Sequence, residues 1–187
     1  MENQHLIKLK QFYFNHFYIP SYEEMCKLFD LSSKHAVFYW VEKWKEQGIL
    51  TAEKNKLMPT DKFFEFPVLG VIQAGTPTEN YQVSETIMLR PFNFKHPAYT
   101  YLLKVKGDSM IGEGIMDGDL VVLDKKIEPR NGSVVAACID GEWTLKYYKK
   151  KENNVYLEAA NPKYPNYYPK EQLEIGGVVI KVIREYN

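Results

Sequence analysis

The sequence predicts an α+β chain, with a helical head over residues 1–66 and an all-β domain over residues 67–187. Three observations predict it. Apolar residues recur at helical spacing through the first 50 positions. Past Pro67 the apolar runs shorten to strand length, and turn pairs such as Asp140-Gly141 separate them. No apolar run approaches the roughly 20 residues of a membrane span.

In the head, Leu6, Ile7, Leu9, Phe12, Phe14 and Phe17 mark a first helix that Pro20 ends. Ser21-Tyr22-Glu23-Glu24 has the form of a capping box, with Ser21 as N-cap and Glu24 reaching back. It starts a second helix that turns Met25, Leu28 and Phe29 inward. Asp30-Leu31-Ser32 makes a short turn, and Ser32 or Ser33 caps a third helix with Ala36, Val37, Trp40, Val41 and Trp44 on one stripe. Gly48 stands where a helix-ending glycine belongs. Ile49-Leu50-Thr51 and Leu57-Met58 bracket the polar tip Glu53-Lys54-Asn55-Lys56, which reads as a short hairpin. Helix, helix, tight turn, helix, hairpin is the winged helix-turn-helix pattern. A three-helix bundle without a nucleic-acid role has the same pattern.

The β half shows strand-like runs at Val68–Ala74, Tyr101–Val105, Leu120–Leu123, Ser133–Ile139, Glu142–Lys150, Val155–Ala159 and Val178–Ile183. Asp117-Gly118-Asp119, Asn131-Gly132, Asp140-Gly141, Asn153-Asn154 and Gly176-Gly177 supply the turns. The junction at Phe66-Pro67 is short, so the halves are linked closely unless residues 60–67 are mobile.

Composition bounds the function. The 187 residues are 45% hydrophobic, enough for a packed core, and carry no net charge. Splitting the chain changes nothing: residues 1–66 hold nine lysines and nine carboxylates. Any affinity for DNA must come from local placement of lysines and from dimerisation. The N-terminus lacks the basic start and apolar core of a signal peptide. Cys26 and Cys138, far apart, argue for reduced thiols in a cytoplasm, with neither a disulfide framework nor a metal site. No cofactor is expected.

One serine in the β half has a setting that suits a nucleophile: Gly107-Asp108-Ser109-Met110. Glycine and aspartate before a serine favour a tight turn that exposes the hydroxyl, and backbone N–H groups there can face an oxyanion. An ordinary turn has the same letters. It is not the nucleophile elbow of α/β-hydrolases, because Ile111 replaces the second glycine. As a base, His96 is the one histidine in this half, beside Pro97 in a loop-like stretch. The other chemical route is a lysine, which serves as base only when neutral, and so must be buried in apolar surroundings. Lys146 meets that description, among Trp143, Thr144, Leu145, Tyr147 and Tyr148; alternation puts it on the face of Thr144 and Tyr148. An edge-strand lysine guarding against aggregation fits the same letters.

These segments resemble the LexA-type self-cleaving repressors, whose peptidase domain is LexA/signal-peptidase-like. Gly107-Asp108-Ser109-Met110 followed by Ile111-Gly112-Glu113-Gly114-Ile115 and Asp117-Gly118-Asp119 is similar to their nucleophile segment. Ala74-Gly75 within Val71-Ile72-Gln73-Ala74-Gly75-Thr76-Pro77 resembles their cleavage site, and Thr144-Leu145-Lys146 the strand bearing their catalytic lysine. The separations, 34 residues from Gly75 to Ser109 and 37 from Ser109 to Lys146, fit the family layout, and the head aligns from the capping box through Gly48-Ile49-Leu50.

The resemblance implies a serine endopeptidase acting on its own chain. Ser109 is the nucleophile, Lys146 the general base, the backbone N–H groups of Ser109 and Met110 the oxyanion hole, and Ala74–Gly75 the scissile bond. It implies a homodimer on palindromic double-stranded operator DNA. It also implies cleavage stimulated by the RecA–single-stranded DNA filament, as in the DNA-damage (SOS) response. Cutting separates the heads from the dimerisation domain and removes avidity. The third helix departs from the familiar pattern: Ser33, Lys34, His35, Ala36, Phe38 and Tyr39 stand where small, amide and acidic residues are usual. Those positions read base edges, so a different operator is expected; Phe38 and Tyr39 either contact thymine methyls or pack. Lys54 and Lys56 in the wing are candidate phosphate contacts. A phage-type or stress repressor is a close variant. A DNA-binding regulator with a silent β domain, a polymerase-accessory fragment and a signal peptidase acting in trans are the readings from other classes.

Overall fold

A computed structural model describes residues 2–54, 56–73, 85–89, 94–152 and 154–186. The chain divides into two compact units, Met1–Phe66 with Ile87–Ala98, and Pro67–Thr86 with Tyr99–Asn187.

The first unit carries three helices, α1 (Glu2–His16), α2 (Tyr22–Phe29) and α3 (Lys34–Glu46). Each begins and ends for a local reason. The Ser21 side chain accepts from the Glu24 N–H while Glu24 accepts from the Ser21 N–H, a complete capping box at α2. Asp30 closes α2 in the left-handed region at φ 57°. Ser33, not Ser32, caps α3, its Oγ accepting from the Ala36 N–H. Gly48 follows α3 at φ 69°, which lets the chain reverse without a Cβ penalty. Leu9, Phe14, Met25, Phe29, Val37, Val41 and Trp44 form the buried seam; Ala36 and Trp40, expected on the same stripe, are only partly covered.

The hairpin is present as β1 (Leu50–Glu53) and β2 (Lys56–Pro59), antiparallel, with Leu50 opposite Pro59 and Glu53 opposite Lys56. A 3₁₀ turn over Asp61–Phe64 then buries Phe63 and Phe64. Ile87–Ala98, which the sequence division places in the β half, belongs to this unit instead. The reason is Phe94: fully buried, its ring lies 5.7 Å from Phe14 and 4.8 Å from Phe66. An aromatic anchor of this size outweighs its place in the chain.

The sheet runs through β3 (Glu65–Gln73), β4 (Glu85–Met88), β5 (Thr100–Lys106), β6 (Leu120–Asp124), β7 (Val134–Ile139), β8 (Glu142–Lys151), β9 (Asn154–Glu158) and β10 (Leu173–Ile183). Its spatial order is β4-β3-β5-β6-β10-β7-β8-β9. β3 and β5 pair in parallel. The β5–β6, β6–β10, β10–β7, β7–β8 and β8–β9 pairs are antiparallel. Asp140 and Gly141, at φ 53° and 88°, make the two-residue turn between β7 and β8. Gly176-Gly177, expected to be a turn, lies inside β10, where the register with β7 shifts between Ile175 and Gly177. A Cβ on Gly176 would stand 2.5 Å from the Trp143 ring, so the aromatic occupies the space a side chain would need.

Two apolar clusters cover the sheet. One gathers Ile72, Tyr101, Leu103, Val105, Met110, Ile115, Val121, Leu123, Ala136 and Leu145; the other gathers Val135, Ala137, Ile139, Leu157 and Val178. β8 is therefore an interior strand, with β7 on one side and β9 on the other, and a residue on either of its faces can be fully buried.

Candidate active site

Ser109 sits two residues past β5's last glycine-bearing turn, in a segment tied down from both ends. Gly107, at φ 99°, donates its N–H to the Asp117 carboxylate at 2.6 Å. The Val105 N–H donates to Asp119 O and the Gly118 N–H to Val105 O, each at 2.8 Å. The buried Asp119 carboxylate accepts from the Met116 N–H at 2.7 Å and from Arg184 Nε and Nη2 at 2.6 Å. That bidentate pairing holds the Asp119 carboxyl below the usual carboxylate range. Met110 buries its side chain in the larger apolar cluster. Its backbone lies in the bridge region, φ −113° and ψ 18°, a conformation that active-site residues often hold. Among the described residues, the backbone N–H groups of Ser109 and Met110 have no acceptor. The serine hydroxyl is not exposed, as the turn alone suggested, but wholly buried.

Lys146 is buried as completely. Its Nζ lies 2.9 Å from Ser109 Oγ, 2.8 Å from Thr144 Oγ1 and 3.1 Å from Leu145 O. Thr144 and Lys146 share a face of β8, as alternation requires. Burial pushes the Lys146 amine down to about 8. Among the described residues no carboxylate faces it to oppose that shift. A charged amine donates to all three oxygens. A neutral amine keeps two N–H bonds, to Thr144 Oγ1 and Leu145 O, and its lone pair then points along the third direction, at the Ser109 hydroxyl. Thr144 thereby orients the amine. Thr144→Val, close in shape but without the acceptor, should slow any serine chemistry here by about tenfold, the upper scale of one ordinary hydrogen bond; a full-rate Thr144→Val chain would remove this role.

The nucleophile turn is also held by residues that sequence reasoning did not single out. Asn161 Nδ2 donates to Asp108 O at 3.0 Å and to Asp108 Oδ2 at 3.1 Å. The Tyr164 hydroxyl donates to Asp108 Oδ1 at 2.5 Å. The Gly112 N–H donates to Ala160 O at 2.8 Å, and a Cβ on Gly112 would collide with that carbonyl. The signal for these partners was the run Asn161-Pro162-Lys163-Tyr164-Pro165-Asn166-Tyr167-Tyr168-Pro169, whose prolines and tyrosines mark an ordered loop. His96, the alternative base, falls in the first unit. Ala74 and Gly75 lie outside the described residues.

On the first unit, the expected base-reading residues divide. Ser33 and Ala36 are engaged in the helix cap, and Lys34 pairs with Glu23 at 2.6 Å. His35, Phe38 and Tyr39 are exposed and line one shallow depression with Glu42, Lys43 and Glu46. The Phe38 ring stacks at 6.5 Å on Tyr22, so it is packed on one side and open on the other. Lys54 and Lys56 are exposed on the hairpin, Lys54 in the left-handed region at φ 49°.

No described helix is long and apolar enough to cross a membrane. Residues 67–180 match the Peptidase S24-like family. Proteins named LexA repressor align over nearly the full chain. That of Syntrophobacter fumaroxidans is 33% identical over 178 residues, covering 91% of this chain and 86% of that protein. That of Verrucomicrobium spinosum is 32% identical over 179 residues, covering 90% and 88%. That of Clostridium botulinum is 32% identical over 178 residues, covering 90% and 88%. A peptidase-family match over the β half, repressors matched over about 90% of the chain, and a buried serine–lysine contact agree: the chain belongs to the Peptidase S24-like family, among its LexA-type repressors.

Proposed function

We propose that this chain represses transcription as a dimer on palindromic operator DNA and is inactivated when it cuts its own Ala74–Gly75 bond. The observation that carries the reading is the 2.9 Å contact between two fully buried groups, Ser109 Oγ and Lys146 Nζ, in a site without a carboxylate partner among the described residues. Ser109 Oγ adds to the Ala74 carbonyl carbon as its proton passes to Lys146 Nζ. The oxyanion that forms is met by the N–H groups of Ser109 and Met110. The C–N bond then breaks, the Gly75 amine takes the proton from Lys146, and water hydrolyses the Ser109 ester with Lys146 again as base. Cleavage frees each head from the dimerising β domain, and a lone head has half the contacts to DNA. The regulon is that of DNA damage, the stimulus is the RecA–single-stranded DNA filament, and the site is the cytoplasm.

The test is intact mass after incubation at pH 7 and pH 10, with Ser109→Ala alongside. The rate follows the neutral fraction of Lys146. With its amine at about 8, the rate should rise about tenfold over that interval. Two fragments meeting at Ala74–Gly75, absent from Ser109→Ala, are expected. A native chain uncut at pH 10, or a rate flat from pH 7 to pH 10, would overturn the dyad.

On the head, the exposed Phe38 and Tyr39 are proposed to meet thymine methyl groups in the major groove, with His35 beside them, Ser33, Lys34 and Ala36 setting the helix N-terminus on the backbone, and Lys54 and Lys56 on phosphates. Phe38→Ala or Tyr39→Ala should weaken discrimination at one base pair by roughly 1–3 kcal/mol in a binding-site selection. Unchanged operator preference would assign both rings to packing.

A further inference from the structure

Resting on that dyad, we propose that Tyr164 is a positioning residue for self-cleavage: its hydroxyl fixes the Asp108 carboxylate beside the nucleophile, and its ring, with that of Tyr167, walls the Lys146 amine from water. The loop bearing both tyrosines is fastened where this requires. Asn161 holds Asp108 by its backbone oxygen and its side chain, Ala160 holds Gly112, and Tyr167 pairs with Leu157 of β9 through two backbone bonds of 2.8 Å. The Lys163 N–H closes the loop onto Asn161 Oδ1 at 3.1 Å.

The two parts of the tyrosine act differently. The phenol donates to Asp108 at 2.5 Å, which holds that carboxyl below its ordinary range and raises the phenol, so both keep the protonation that makes the bond. Asp108 directly precedes Ser109, so its immobilisation sets the direction of the serine Cα–Cβ bond. The ring centroids of Tyr164 and Tyr167 lie 5.8 and 5.5 Å from Lys146 Nζ. Aromatic faces attract a cation and would hold the amine charged, but both centroids are close to the ~6 Å limit of that attraction. The amine is shifted down, not up, and burial is the cause. The two rings add to the burial that keeps water from the amine. The groups facing Nζ are accounted for on each element: Thr144 on its own strand, Ser109 on the nucleophile turn with Asp108 behind it, Tyr164 and Tyr167 on the loop, and the apolar Val135 across the register on β7. Among the described residues no carboxylate faces the amine, and Asp108, behind the serine, is spent on Tyr164 and Asn161.

The experiment is the self-cleavage rate of the full-length chain from pH 7 to pH 10.5, by intact mass, for the native protein, Tyr164→Phe and Tyr164→Ala. Tyr164→Phe keeps the wall and loses the tether. It should cleave about tenfold more slowly at every pH, the scale of one charge-assisted hydrogen bond, with its midpoint still near 8. Tyr164→Ala also admits water, and its midpoint should move upward by about one pH unit, toward the free lysine value. Return of the midpoint in Tyr164→Phe separates a specific wall from general damage to the loop. If Tyr164→Ala cuts too slowly to follow, the Lys146 titration read by ¹³C NMR in a Ser109→Ala background gives the same midpoint. Native rate in Tyr164→Phe, or an unmoved midpoint in Tyr164→Ala, overturns the inference while the dyad stands. A native chain uncut at pH 10 overturns the dyad, and the inference with it.

Discussion

Lys146→Met is expected to abolish self-cleavage, by at least about 10³-fold, in a chain that folds no less stably than the native one. Methionine follows the lysine stem but offers no lone pair, so Ser109 keeps its proton. The stability half follows from linkage. The Lys146 amine stands at about 8 in the folded chain against the ordinary lysine value of 10.5. Between those values the unfolded chain holds a proton that the folded chain has released, so stability rises with pH across that window. Below pH 8 the folded chain carries the whole penalty of burying the cation. Methionine removes the penalty, and the gain over the native chain is largest at pH 7 and fades toward pH 10.5. Lys10, which burial also pushes down to about 8, titrates in the same direction in both chains and cancels in the difference. The Leu145 carbonyl, which loses the Lys146 amine as a donor at 3.1 Å, keeps the Ser109 hydroxyl at 3.5 Å. Melting temperatures of the two chains at pH 7 and pH 10, beside the cleavage assay, check both halves. A Lys146→Met chain that still cuts would show that another base serves Ser109.

Gly75→Asp should be as inert in cleavage as a dyad variant, yet leave the dyad itself intact. In the proposed reaction a glycine follows the carbonyl that is cut, and aspartate at that position adds bulk and a charge. Among the described residues the cation at the site is Lys146, which must be neutral to act, so the desolvation of that charge goes uncompensated. The dyad itself is untouched, so Lys146 should titrate at its native midpoint and the chain should hold operator DNA under conditions that cut the native protein. Normal cleavage of Gly75→Asp would mean that the scissile bond lies elsewhere.

Local chemistry made the head readable. The Ser21–Glu24 box, the Ser33 cap, Gly48 and the polar hairpin tip act within four residues of themselves, so their letters suffice. The same holds for the Asp140-Gly141 turn and for strands β5 to β8. Ser109 and Lys146 were singled out for a different reason, the resemblance of three segments in order, because their own neighbourhoods also fit a turn and an edge strand; the structure brings the two into contact at 2.9 Å. β4 escaped notice: four residues, Glu85–Met88, with no readable alternation. The glycine pair inside β10 was misread because the Trp143 ring that makes Gly176 necessary lies on another strand.

Periodicity, caps and turn pairs in the amino-acid order settle which segments are helix and which are strand, since these depend on neighbours along the chain. Whether Lys146 is a base or a surface charge depends on partners far away. β8 lies between β7 and β9, the nucleophile turn folds back 37 residues to meet it, and Tyr164 closes from 56 residues beyond Asp108. Only the assembled sheet removes water from both groups at once, and removal of water is what brings the Lys146 amine toward neutrality beside the Ser109 hydroxyl.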